Sequence, residues 1–170
     1  MEYIDSSNND ENRKENISRC DETFKARCIF CDYASETKDE ENLVIFRGKV
    51  SYVIMNRYPY SVGHLLIVPY RHTASFTSLS EKEKLEILTL SQQGVSVLQK
   101  SMNADGFNIG MNLGRIAGAG IDAHLHLHVV PRWNGDINFM SVAAEIKVLP
   151  EALAVTRRKI LDEWKIWTSF

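Results

Sequence analysis

No apolar run in these 170 residues approaches the ~18 that a membrane-spanning helix needs. The N-terminus also lacks the basic and apolar regions of a secretory signal. Cysteine is scarce, three in all, which argues against a disulfide framework and for a reducing, cytoplasmic setting. Neither sign of charge dominates: 20 Lys and Arg against 22 Asp and Glu leave a net charge of −2, with a pI near 6.2. A chain so balanced has no general affinity for nucleic acid or an anionic membrane, and an anionic ligand must be held by a local arrangement. No internal repeat is visible. What is there is an ordinary globular composition, 44% hydrophobic and 25% charged, at a length that suits one core.

Residues 1–24 are rich in Asn, Asp, Glu, Ser and Arg and read as a disordered or loosely docked polar tail, with a catalytic domain over 25–170. Short β-prone runs at 43–46 and 52–55 flank the turn residues Arg47, Gly48 and Lys49. A mostly apolar strand at 63–69 is stopped by Pro69. Ser80 and Glu83 form a capping box, and the helix they open runs to about Met102 with Leu85, Leu88, Val95 and Leu98 as its apolar stripe. Strands are expected at 106–113 and 124–131, joined by the glycine-bearing loop 114–120. A turn at Asn134-Gly135-Asp136, a short strand at 139–143 and a helix over 150–167 follow. This order implies an α+β fold, an antiparallel sheet with one long helix and a C-terminal helix packed on one side.

The chemistry concentrates in His124-Leu125-His126-Leu127-His128-Val129-Val130. Alternate side chains of a strand point to opposite faces, so the three imidazoles share one face while Leu125, Leu127 and Val129 share the other. The apolar face can be buried while the imidazoles line a site. Near neutral pH imidazole can serve as nucleophile, acid–base group or metal ligand. The bland alternative is a solvated strand face that happens to carry histidines. Separately, Cys28-Ile29-Phe30-Cys31 has the reach of a metal knuckle; a redox dithiol or two inert buried thiols are the rival readings. Cys20 lies in the polar tail and is given no structural part.

The run from Asn56 to Arg132 resembles the histidine-triad (HIT) superfamily of nucleotide hydrolases and transferases. His124 to Val130 fits that signature at every position, and residues 53–60 followed by Gly63-His64-Leu65-Leu66-Ile67-Val68-Pro69 resemble the family too. Asn112-Leu113-Gly114 is similar to the family's segment before its glycine loop. The ending His128 to Asp136, followed by Asn138-Phe139, is similar to the branch of diadenosine tetraphosphate phosphorylases.

The resemblance implies that His126 attacks the α-phosphorus of a nucleotide to form a nucleotidyl-imidazole, with His128 bonding phosphate oxygens or the leaving group. Gly118, Ala119 and Gly120 would offer backbone amides to phosphate, although a plain flexible loop is the alternative reading. The hydrolase branch usually has Gln or a hydroxyl residue where Gly120 stands, which leaves the leaving-group donor open; Asn112 and Arg115 are candidate replacements. Asn56 resembles the ribose-binding position, against a residue that only satisfies the turn before Pro59. His64 resembles a residue lining the base and ribose pocket, against a satisfied core histidine. Trp133 would stack on adenine or pack on a partner subunit. Cys28, Cys31, His72 and His124 would hold a structural zinc.

The implied activity is nucleotidyl transfer or hydrolysis on an adenine nucleotide or dinucleoside polyphosphate. Phosphorolysis of diadenosine tetraphosphate to ADP and ATP, with inorganic phosphate as acceptor, is the leading form. The alternatives are a hydrolase of nucleoside phosphoramidates, diadenosine polyphosphates or adenylylated metabolites, and a zinc-stabilised nucleotide-binding regulatory protein without turnover. A homo-oligomer, dimer or tetramer, is expected.

Overall fold

Strands that are apolar on both faces must be covered on both. The computed structural model describes residues 28–136 and 151–168. The expected tail, Cys20, the strand at 139–143 and the side chain of Trp167 lie outside the described residues. Strands β1 (Val44–Arg47), β2 (Ser51–Met55), β3 (Leu65–Pro69), β4 (Gly106–Gly110) and β5 (Leu127–Arg132) form one antiparallel sheet in the order β1-β2-β3-β5-β4. Three helices cover it: α1 (Ile29–Ser35), α2 (Glu81–Met102) and α3 (Leu153–Thr168).

Every residue of β2 and β3 is buried. Val53, Met55, Leu65, Ile67 and Val129 point to one side and pack with Ile87, Leu90, Val97 and Leu98 of α2 and with Ile160 and Trp164 of α3. Tyr52, Ile54, Leu66 and Val68 alternate with them and pack on the other side against Phe30 and Ala34 of α1. The α+β expectation holds, with one correction: helices cover both faces, because α1 lies opposite the other two. Seven residues long and starting at Cys28 without a side-chain cap, α1 is too short to show a helical period.

The capping box of α2 forms as expected, with Ser80 Oγ accepting from Glu83 N at 3.3 Å and Glu83 Oε2 accepting from Ser80 N at 2.8 Å. Its stripe holds in the C-terminal half, where Leu98 is buried and Val95 packs on the core, and fails in the N-terminal half. Leu85 and Leu88 are exposed, while Ile87, Leu90, Gly94, Val97 and Leu98 face the core. The helix carries apolar residues on two faces, and spacing alone did not choose between them. Gly94 settles the choice, since a Cβ there would come within 3.3 Å of Leu65 Cδ1. None of the described helices is long and apolar enough to cross a membrane.

In the β3–β5 ladder Leu66 stands opposite His128 and Ile67 opposite Leu127. Cross-strand partners share a face. His128 therefore lies on the α1 side of the sheet, and Leu127 on the α2 side.

Candidate active site and metal cluster

The ladder of β5 begins at Leu127, three residues later than expected; His124 and His126 lie on its approach. Leu125 N donates to Thr73 O at 2.7 Å, which ties that approach to the loop after His72. The alternation survives: Leu125 joins the α2-side core while Phe30 of α1 packs against both His124 and His126. All three histidines are buried.

Their partners decide where each proton sits, because a carbonyl can only accept and an amide N–H can only donate. His124 Nε2 faces Pro69 O at 2.9 Å, so it carries the proton and leaves the Nδ1 lone pair toward Cys28 Sγ at 3.3 Å and Cys31 Sγ at 3.6 Å. His126 Nδ1 donates to His124 O at 2.9 Å, and its Nε2 lone pair meets no partner among the described residues. His64 Nδ1 accepts from Tyr60 N at 3.0 Å, so His64 Nε2 donates to His128 Nδ1 at 2.8 Å. His128 in its neutral form must then hold its proton on Nε2, a buried atom with no hydrogen-bond partner among the described residues. Burial first, and His126 second, push His128 down to about 4, so the ring is neutral at pH 7. Burial also lowers His126, against the upward pull of its bond to the His124 carbonyl. A lone pair and an N–H donor thus stand on neighbouring rings, with centroids 4.8 Å apart.

A second cluster adjoins the row. Donor atoms of Cys28, Cys31, His72 and His124 all lie within 4.8 Å of one another, so the four could hold a metal ion. The fit is good. A tetrahedral centre with bonds of ~2.3 Å to sulfur and ~2.0 Å to nitrogen spaces its donors roughly 3.3–3.8 Å apart. Cys31 Sγ lies 3.3 Å from His72 Nδ1, and His124 already turns its lone pair to the sulfurs. A hydrogen bond from Cys31 holds the Cys28 thiol down to about 3 against the upward effect of burial, which favours the thiolate that a metal requires.

The remaining expected site residues divide. His64 is fully buried and reaches the row through His128. Asn56 serves the turn, with Oδ1 accepting from Tyr58 N at 3.0 Å, while its amide approaches His64 Nδ1 at 3.3 Å. Asn112 donates to Gly118 O at 3.3 Å and so closes the glycine loop on itself. That loop leaves β4 just past Gly110, which pairs with His128. Gly114 and Gly118 take φ of +84° and +87°, where other residues are strained, while Ala119 and Gly120 carry the chain on toward the row. Arg115 points outward with Asp122 4.0 Å away. Trp133 is not brought to the row within this chain. It lies five residues past His128, about 17 Å along an extended strand, and its indole donates to Met102 O at 3.2 Å.

Two aromatic neighbours were not foreseen. Tyr60 stacks on His128, with centroids 5.7 Å apart and planes at 16°, and Phe30 touches both His124 and His126. The only sequence signals were their places inside motifs, four residues before His64 and between the two cysteines.

The HIT domain family model matches residues 37–135. The chain is 43% identical over 129 residues to the AP-4-A phosphorylase of Mycobacterium tuberculosis, a match covering 76% of this chain and 66% of that protein. It is 32% identical over 110 residues to an adenosine 5′-monophosphoramidase of Saccharomyces cerevisiae, covering 65% of each. Among solved structures, a zinc-bound histidine triad family protein from Mycobacterium smegmatis superposes with a TM-score of 0.69 at 26% identity, covering 84% of this chain and 96% of that one. The sheet order, the alternating histidine row and a match over more than half of its length agree: the chain belongs to the HIT domain family.

Proposed function

We propose that this chain transfers a nucleotidyl group from an adenine dinucleotide through His126, and that its reaction is phosphorolysis of diadenosine tetraphosphate to ADP and ATP. The observation that carries the reading is the pairing of an Nε2 lone pair on His126 with an Nε2–H on neighbouring His128, neither with a partner among the described residues. The 43% identity to a protein named AP-4-A phosphorylase supports the choice of substrate.

His126 Nε2 attacks the α-phosphorus; a P–N bond forms and the P–O bond to the departing ATP breaks. The Nδ1–H of His126 stays on the His124 carbonyl and holds the ring in line. His128 Nε2–H donates to phosphate oxygens as negative charge gathers on the leaving group, and amides of the 114–120 loop share that task. Inorganic phosphate then attacks the same phosphorus, the P–N bond breaks, and ADP leaves with His126 restored.

Zinc is the metal that suits two thiolates and two imidazoles. Cys28, Cys31, His72 and His124 would hold it with no position left open, so its contribution when bound is structural. A homo-oligomer belongs to the same reading. β4 is an edge strand with Ile109 half exposed, and a second copy would cover it.

The similarity to a phosphoramidase favours one second reading, hydrolysis of nucleoside phosphoramidates by the same histidine. Incubating the full chain with diadenosine tetraphosphate, with and without inorganic phosphate, and separately with adenosine 5′-monophosphoramidate separates the readings. Phosphate-dependent ADP plus ATP is the expected result. AMP plus ATP irrespective of phosphate would make the chain a hydrolase, turnover of the phosphoramidate alone would select the second reading, and no product from either would leave it a nucleotide binder.

A further inference from the structure

Phe30 stands between the two thiols of Cys28-Ile29-Phe30-Cys31 and is 2% exposed. Its ring centroid lies 5.5 Å from His124, edge-on at 82°, and 5.1 Å from His126, tilted at 53°. Such separations and angles are those of packed aromatic pairs. The chemistry above gives this ring no task.

His126 needs one. Its Nδ1 bond to the His124 carbonyl is the only hydrogen bond its ring makes among the described residues. One hydrogen bond restrains the ring only within the angular width of that bond, and small turns about Cβ–Cγ, a broad torsion, move Nε2 off the line of attack. His128 lies against His126 with centroids at 4.8 Å, and Phe30 closes the arrangement from α1. Phe30 is itself held: the hydroxyl of buried Tyr52 donates to Phe30 O at 2.7 Å, and the flanking cysteines belong to the metal cluster.

We infer that Phe30 is a positioning residue for His126, its ring blocking rotation of the imidazole so that Nε2 stays aimed at the site. The inference rests on His126 as the nucleophile, but the state of the ring can be read without turnover.

The test uses the full zinc-loaded chain with 15N-labelled histidine, as wild type, Phe30→Ala and Phe30→Leu. Long-range 15N–1H correlations should show wild-type His126 as one Nδ1–H tautomer, and Phe30→Ala should average its two nitrogen shifts. The first-turnover rate of Phe30→Ala should fall about 100-fold, as for displacement of a reacting group by about 1 Å, with KM little changed. Phe30→Leu, which refills most of the space, should recover most of that rate while still displacing the nitrogen shifts. Should Phe30→Ala fail to fold, the shifts of Phe30→Leu decide. Unchanged His126 shifts in a folded variant, or a loss confined to KM, would reduce Phe30 to a wall of the pocket and overturn the inference. A wild type that turns nothing over would sink the proposed reaction instead, and the nitrogen spectra would still judge Phe30.

Discussion

The two ends of the histidine row are chemically alike and oppositely bonded. His124 and His128 flank His126 at equal distance in sequence, and both are buried. At one end His124 donates a hydrogen bond from Nε2 to the Pro69 carbonyl and turns a lone pair toward sulfur. At the other, His128 accepts from His64 and is left with a buried N–H to donate. The neighbour of each imidazole, and not the imidazole itself, decides whether it serves as ligand or donor. His126 shares features of both ends: its bond to a carbonyl is like that of His124, yet its lone pair points at nothing in the described chain.

The strongest way to break this comparison is to remove its centre. His126→Asn should lower turnover by on the order of 10⁴-fold or more while nucleotide binding, measured by calorimetry, persists. His128→Ala removes the orphaned donor and should cost about 1,000-fold in single-turnover rate, with metal content unchanged. At the other end Cys31→Ser should release the metal. The melting temperature then falls, by an amount worth about 4 kcal/mol where metal is supplied at about 1,000 times its Kd. A variant that kept its metal would show that the four donors do not act together. His64→Phe sharpens the contrast: it leaves the proton on His128 undefined and also takes the acceptor from Tyr60 N. About a tenfold loss in rate is expected, and full activity would show that His64 does not orient His128.

The smallest effect is on stability against pH. Because His128 is held at about 4 when folded against 6.5 when free, the unfolded chain takes up the proton first as pH falls. Stability is therefore whole above about 6.5 and declines from there toward about 4. Thermal melts across that range should show the decline, and His128→Ala should flatten it.

Much of this arrangement was legible in the sequence. The alternation of histidine and aliphatic residues placed the row on one face, and the cysteine pair announced its cluster. Ser80 and Glu83 marked the start of α2, and Pro69 the end of β3. What was not legible depended on contacts distant in sequence. The phase of α2 turned on Gly94 meeting Leu65. Trp133 follows the row in sequence, but nothing in the spacing showed that Met102 O takes its indole. The protonation of His128 required Tyr60 N, which no spacing rule connects to it. α1 was invisible because a helix of seven residues is stabilised by what it packs against.

α1 is also fastened from the far edge of the sheet. Arg47 of β1 donates to the carbonyls of Tyr33, Ala34 and Glu36 at 2.9, 3.1 and 2.7 Å while its other side meets Asp39 at 2.6 Å. A planar guanidinium can grip three outgoing carbonyls and a carboxylate at once, which a lysine ammonium on a flexible stem cannot reproduce. The turn bearing both thiols and Phe30 is thereby clamped at its rear by an arginine of the edge strand. An Arg47→Lys exchange, conservative by charge, would loosen Cys28, Cys31 and Phe30 together.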